Sequence, residues 1–388
     1  MPDGREEVRV EVISRIADIP VEQWNACAGS ANPFVRHAFL NALEESRSVC
    51  ERTGWSPQHL VVRGADGKVD ACMPLYLKTH SNGEYVFDWG RADAYERAGG
   101  SYYPKLQCAV PFTPATGPRL LVRDGAPANS ADILIAAAVQ LAKNNGISSV
   151  HVTFPTKAEW EKLGASGFLM REGKQYHWEN RGYATFDDFL GELSSRKRKQ
   201  IRKERREVTD AGVILRRISG TDITEAHWDA FYRYYRSTID QRHYGRVYLN
   251  REFFSRLGAA MSDMALLVFA EYDGQYIGGA INLIGEDTLF GRNWGCTREV
   301  KFLHFEACYY QAIEFAIERK LGWVEAGAQG EHKIQRGYLP RETYSAHWIA
   351  DERFRAAVAR FLDQERRQTE QEIEMLMEYS PYRKVGED

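Results

Sequence analysis

The chain predicts an α+β fold built twice, as two mixed, mainly antiparallel sheets, each flanked by helices. Three observations carry that expectation. Residues 264–348 read as strand, hairpin, strand, strand, helix and strand in order, and the first half of the chain also runs strands, helix, strand. The 388 residues, with ordinary apolar content, are enough for two domains. The division is placed at 185/186, giving an N-terminal domain over 1–185 and a C-terminal domain over 186–388.

In the first half, residues 8–16 alternate as an edge strand, and Pro20 opens a helix from its first turn. Residues 33–50 read as another helix. A meander follows in 59–63, 69–78 and 85–89, turned by Ala65-Asp-Gly67. Residues 131–143 are helical, Asn145-Gly146 stops them, and 149–154 make a strand.

The second half opens on the densest charge run in the chain, where eight of the eleven residues from Arg196 to Arg206 are basic. One reading is a solvated helix whose Glu204 and Glu207 pair with cations one turn away. The other is a phosphate-binding face, carried by Arg196, Arg198, Lys199 and Arg202, for a coenzyme, an RNA end or a membrane surface. Helices follow at 223–242 and 251–261. Then come strands at 265–271, 276–284 and 288–294, with Asp273-Gly274 as the hairpin turn. Residues 303–320 carry apolar side chains at helical spacing, with Gly322 expected as the C-cap. Residues 323–327 return as a strand, and a charged helix from 351 to about 378 closes the chain.

Composition excludes several classes. The 51 basic and 54 acidic residues nearly cancel, so any nucleic-acid argument must be local. Six scattered cysteines without a CxxC pair argue against a disulfide framework or a zinc ribbon and fit a reducing compartment. The N-terminus is charged rather than signal-like, and no stretch approaches the roughly 20 apolar residues that span a bilayer. A cytoplasmic protein is expected. A Walker loop, a GxGxxG after a strand, HExxH and Gly-x-Ser-x-Gly are all missing from the sequence.

The candidate site is the run Gly327-Ala-Gln-Gly-Glu-His-Lys333. Its glycines let backbone approach a ligand, and adjacent acid, imidazole and amine can deprotonate an ammonium and neutralise an oxyanion. Glu331 and His332 are the candidate catalytic pair. Gln329, Lys333 and Arg336 are candidate substrate ligands, with Arg336 three residues from Lys333 and able to share its anion. Arg292 and Trp294 on the third strand, His304 on the helix and Tyr344 on a late strand complete the set. His304 and Cys308 share one helical face, but no third ligand accompanies them, and a packed helix is preferred to a metal site.

The order of elements matches the donor half of the GNAT acyltransferase fold, in which two neighbouring strands splay to admit an extended donor. The runs Ser194-Ser-Arg-Lys-Arg-Lys-Gln-Ile-Arg-Lys-Glu-Arg205, Leu303-His-Phe-Glu306, Gly327 to Lys333, Arg336-Gly337 and Thr343-Tyr-Ser-Ala-His-Trp348 resemble a Fem-like family of N-acyltransferases in the GNAT superfamily. Tyr95-Glu-Arg-Ala-Gly-Gly100, Tyr102-Tyr-Pro-Lys-Leu106 and Val110 to Arg119 carry the same resemblance into the first half. It implies tandem GNAT-like domains with the reaction cleft in the second. It also implies direct transfer of an acyl or aminoacyl group to a primary amine of a small-molecule or peptide acceptor. The donor would be an acyl-CoA, an acyl-carrier protein or an aminoacyl-tRNA, acting as cosubstrate with no tightly bound cofactor. The alternative is a non-catalytic module that binds a peptidoglycan precursor or RNA.

Overall fold

The computed structural model describes residues 9–240, 246–327 and 330–383 and divides the chain into two compact units. Unit 1 comprises Met1–Gly173 and Thr343–Glu370, and unit 2 comprises Lys174–Glu342 and Gln371–Asp388. The boundary expected at 185/186 follows chain order, whereas packing assigns 174–185 to unit 2 and returns 343–370 to unit 1. The reason is the length of two strands, β9 (Leu169–Glu179) and β15 (Leu339–Ile349), within which the chain passes between units.

Unit 1 begins with β1 (Arg9–Ile13), α1 (Val21–Ala28), α2 (His37–Glu45), β2 (Trp55–Pro57), β3 (His59–Arg63), β4 (Val69–Met73) and β5 (Leu75–Lys78). It continues with α3 (Trp89–Arg97), β6 (Lys105–Cys108), β7 (Leu121–Val122), α4 (Ser130–Asn144), β8 (Ser149–Thr153) and α5 (Lys157–Ala165). Four strands form an antiparallel sheet in the order β1-β3-β4-β7, and the others run β15-β8-β6-β5-β2. Within that second set β6 and β8 are parallel, with α4 lying between them in the chain. The apolar face of α4 (Leu134, Ile135, Ala138, Ala142) packs with Leu106, Val150, Val152 and Trp160 in one core. Each such large side chain contributes about 1.5–3 kcal/mol on burial. Thr156 caps α5 reciprocally with Glu159, a device worth about 1 kcal/mol.

Residues 85–89, expected as a strand, instead form a loop over 85–88, and Trp89 opens α3. The cause is buried charge. The Lys105 ammonium, wholly inaccessible, donates to Glu84 Oε2 at 2.7 Å and Asp88 Oδ2 at 2.6 Å, so two carboxylates hold the intervening segment around one cation. Tyr85 accordingly takes φ +59°.

Unit 2 contains α6 (Phe186–Glu192), α7 (Ser195–Asp210), β10 (Val213–Ser219), α8 (Glu225–Asp240), α9 (Arg251–Met261), β11 (Ala265–Tyr272), β12 (Gln275–Ile284) and β13 (Thr288–Cys296). A helical stretch follows as α10 (Leu303–Phe305), a π-helical turn (Glu306–Tyr310) and α11 (Gln311–Arg319), before β14 (Trp323–Glu325). Helix α12 (Glu352–Met377) runs from unit 1 into unit 2. The unit 2 strands lie in the order β10-β11-β12-β13-β14-β9, and β13 and β14 are its parallel pair. Asp273 and Gly274 have φ +51° and +71°, the paired positive values of a type I′ hairpin, as their sequence predicts. The core joins Val268, Ala280, Leu289 and Val324 from the sheet to Tyr310, Ile313 and Ala316 from the helix.

The helix ends at Lys320, in the left-handed conformation at φ +56°, and not at Gly322. Gly322 has a different job. Its N–H donates to Asp287 Oδ1 at 2.8 Å, and a Cβ there would meet that carboxylate at 2.5 Å.

Candidate functional site

The site begins where two strands part. β13 and β14 pair only through Thr288–Trp323, Leu289–Val324 and Phe290–Glu325, yet β13 continues to Cys296. On its other edge β13 stays paired with β12, but the register shifts. Ile281 faces Asn293 and Asn282 faces Gly291, which leaves Arg292 as the extra residue of a bulge. A bulge bends its strand and increases its twist. Past Phe290 the result is a cleft of about 70 Å³, lined by Asn282, Gly291, Arg292, Trp294, His304 and Tyr309 among others. At its apex Gly291 is required for closeness, since a Cβ would stand 3.2 Å from the Glu325 carbonyl and 3.3 Å from Asn282 Oδ1.

The second wall is the interrupted helix. Phe302, at φ +65°, turns the chain into α10, and the π turn at Glu306–Tyr310 then resets the register so that Cys308 and Tyr309 reach the cleft. Turns of this kind recur at functional sites. Arg205 of α7 secures the turn with two hydrogen bonds to Glu306, both 3.0 Å, and one of 2.7 Å to Glu314.

The third component is the 3₁₀ turn Glu331–Arg336. Gly330 has φ +113°, and a Cβ there would stand 2.5 Å from the His332 ring, so this glycine permits both the turn and the position of the imidazole. His332 Nε2 shares a 3.0 Å hydrogen bond with the Tyr309 hydroxyl, which ties the turn to the cleft wall. Partial desolvation, aided by the Arg336 and Lys333 charges, lowers the imidazole pKa, so the ring is neutral at neutral pH and able to accept a proton. Glu331 is exposed at the start of the same turn.

Lys333 is buried, with Nζ donating to the Gly327 carbonyl at 2.9 Å, and burial pushes its pKa down to about 8. Arg336, expected to share an anion with Lys333, is committed inside the protein instead. It donates to the His332 carbonyl at 2.8 Å and to Glu204 Oε1 at 2.9 Å, and its guanidinium lies 3.4 Å from the Phe305 ring centroid. Glu204 is itself buried and also accepts from Gln200 and Tyr310. Arg336 therefore positions the His332 backbone and does not present a free cation to a ligand.

Of the other expected residues, Arg292, Trp294 and His304 come together at the cleft. The His304 ring lies 5.9 Å from Trp294, 5.2 Å from Tyr309 and 6.4 Å from His332, between centroids. Burial raises the Cys308 thiol pKa, which opposes thiolate formation. Tyr344 is not at the cleft. It is buried in unit 1, with its ring 4.7 Å from Trp160 and its carbonyl accepting from the Phe154 N–H, because β15 has re-entered unit 1 by residue 343. Gln329 lies outside the described residues. On α7, Arg196, Lys199 and Arg202 are exposed, Arg202 pairs with Asp187 at 2.8 Å, and half-buried Arg198 reaches the Gly191 carbonyl at 3.5 Å. Among the described residues, no group of three His, Cys, Asp or Glu side chains is arranged to hold a metal.

Sequence reasoning missed Tyr309, Asn282 and Glu204. Tyr309 falls in an apolar helical run and reads as core until the π turn rotates it. Glu204 reads as a surface partner for neighbouring cations.

The parted parallel strands, the bulge and the crossover helix define a GNAT-like α+β protein. The profile of the FemAB-like family, described as peptidoglycan biosynthesis/recognition, matches residues 15–384, and the chain belongs to that family. A crystal structure of FemX is similar at TM-score 0.55 and 12% identity, covering 88% of this chain and 98% of that one. The C-terminal domain of a putative lysylphosphatidylglycerol synthetase from Agrobacterium fabrum is similar at TM-score 0.51 and 8% identity, covering 89% and 95%. A tandem GNAT protein from the clavulanic acid biosynthesis pathway aligns at TM-score 0.48 and 14% identity, covering 89% and 98%. None of the curated proteins matches.

Proposed function

We propose that unit 2 is an N-acyltransferase that moves an acyl or aminoacyl group from an activated donor to a primary amine in one direct step. The observation that carries this reading is the gap between β13 and β14 beyond Phe290 and Glu325, with the His332–Tyr309 pair on its flank. An extended donor would enter the gap and align its carbonyl with the backbone along Gly291–Trp294. Backbone N–H groups in that stretch would stabilise the oxyanion as the amine adds. The ammonium loses two protons on its way to an amide: the first passes to solvent before attack, and His332, neutral and held by Tyr309, would take the second from the amine as it adds. Exposed Glu331 stands beside it as the alternative acceptor. As the tetrahedral intermediate collapses, the donor's thiolate or alkoxide leaves and needs a proton, which the Tyr309 hydroxyl is placed to relay back from the imidazole.

The family description supports a peptidoglycan-type amine as acceptor, and an aminoacyl ester is one of the donors that the sequence resemblance to Fem-like acyltransferases implies. The test is a transfer assay with acyl-CoAs, carrier-protein thioesters and charged tRNA, read by mass spectrometry of the acceptor. Glu331→Gln combined with His332→Ala is expected to abolish product while leaving the melting temperature in place. Full activity in that double variant would remove the assignment, and saturable binding without product for every donor would replace the enzyme with a binding module.

A further inference from the structure

Two hydroxyls near the end of α8 have no part in the chemistry proposed above, yet both are bonded to the strand that borders the cleft. Thr238 Oγ1 donates to the Trp294 carbonyl at 3.0 Å, and Ser237 Oγ to the Cys296 carbonyl at 2.9 Å. A threonine inside a helix commonly turns its hydroxyl back to the carbonyl four residues before it, which here belongs to Tyr234. Thr238 reaches across to β13 instead. Ser237 is less committed, because its one proton is divided between Cys296 and the Tyr234 carbonyl of its own helix, 2.8 Å away. Gly295 makes the approach possible. A Cβ there would collide with the Tyr234 carbonyl oxygen, so helix backbone meets strand backbone where any side chain would hold them apart.

The alternation of an antiparallel ladder gives the consequence. Successive residues point their N–H and C=O groups first at the partner strand and then away from it. The Thr297 N–H donates to the Ile277 carbonyl at 2.8 Å, so these two form a hydrogen-bonded pair. Counting back along the register, Gly279–Gly295 and Ile281–Asn293 are also bonded pairs, whereas Gly278–Cys296 and Ala280–Trp294 are not. Trp294 therefore turns both its N–H and its carbonyl away from β12, to the side where β14 has already ended. Asn293 faces β12 and Arg292 is the bulged residue, so Trp294 is the first residue past the bulge whose N–H faces the gap. Its side chain lines the cleft. By holding the Trp294 carbonyl, the Thr238 hydroxyl also sets the direction of the N–H on the same residue.

We propose that the Trp294 N–H receives the oxyanion and that Thr238 is the positioning residue that aims it, a role that rests on the reading of unit 2 as an acyltransferase. As the amine adds, the electron pair of the carbonyl moves onto oxygen. A donor already pointed at that oxygen needs no rearrangement when the charge appears. Thr238 itself touches no substrate.

The first measurement needs no acyl donor. In the full chain labelled with 15N-tryptophan, the Trp294 amide is expected to exchange rapidly with water, as an amide outside the ladder does. Protection as slow as that of a paired sheet amide overturns the proposal. The second is steady-state transfer by the wild type, Thr238→Val and Thr238→Ser. The donors are acetyl-CoA, an acetylated carrier protein and alanyl-tRNA, and a lysine-containing stem peptide supplies the amine. Thr238→Val is expected to lower kcat about tenfold or more with KM and the pH profile of kcat unchanged, and Thr238→Ser to stay within about twofold of the wild type. Thermal melts check the fold, and Thr238→Ala takes the place of Thr238→Val if that variant melts early. Full kcat without the hydroxyl overturns the proposal and leaves the transferase standing, as does a loss that serine fails to restore. A wild type that yields product from none of the donors overturns the transferase reading, and this role with it.

Discussion

Glu204 shows how much one buried carboxylate decides. It accepts hydrogen bonds from Tyr310, Gln200 and Arg336, and Arg336 in turn holds the His332 carbonyl. Glu204→Ala strands a buried guanidinium and is expected to cost about 3–5 kcal/mol in urea unfolding, with transfer lost as the His332 turn loosens. Lys333 makes a prediction with a sign. Its folded pKa of about 8 lies below the ordinary 10.5, because burial disfavours the charge. Below about pH 8 both states carry the proton, and between about 8 and 10.5 only the unfolded chain does, so this residue's contribution to stability rises with pH across that window. Lys333→Met removes the rise, and unfolding of both proteins at neutral and alkaline pH measures the difference. Sequence marked Lys333 and Arg336 as unusual but misjudged Arg336. Spacing reveals which residues are neighbours on a turn, whereas the partner that neutralises Arg336 lies 132 residues away.

At the scale of elements, the strands β11 to β13 and their hairpin were legible because each carries its own turn or alternation signal. The π turn was not, since an apolar helical pattern looks the same with one residue inserted, and the loop at 79–88 was not, since its shape depends on Lys105 from another strand. Two substitutions test the elements that shape the cleft. Gly291→Ala adds a methyl group between the Glu325 carbonyl and Asn282 and is expected to lower kcat/KM with little change in melting temperature. Tyr309→Phe removes the hydroxyl that holds His332 and is expected to lower kcat by about 10- to 100-fold at little cost in KM, as steady-state kinetics would show.

At the scale of the whole molecule, the two units share a parallel strand pair separated in the chain by helix, and the cleft described above belongs to unit 2. In unit 1 the wholly buried Arg119 lies past the β6–β8 pairing. Its guanidinium donates to the carbonyls of Thr153, Gly117, Pro118 and Ala115 at 2.9 to 3.1 Å. Tandem architecture was legible from the repeated order of elements, yet the division at 185/186 was not the one that packing makes, because no local signal marks a strand that changes units midway. A fragment ending at residue 185 lacks β15 and is expected to show no cooperative melt by circular dichroism. The return of Thr343–Glu370 also bears on synthesis at the ribosome. Residues Ser345–Ile349 pair with β8, laid down nearly two hundred residues earlier, so the nascent chain carries an open sheet edge until residues 345–349 have been made. Final closure of the first unit must therefore wait for β15, and a chaperone that shields β8 in the interval would raise the yield of native protein.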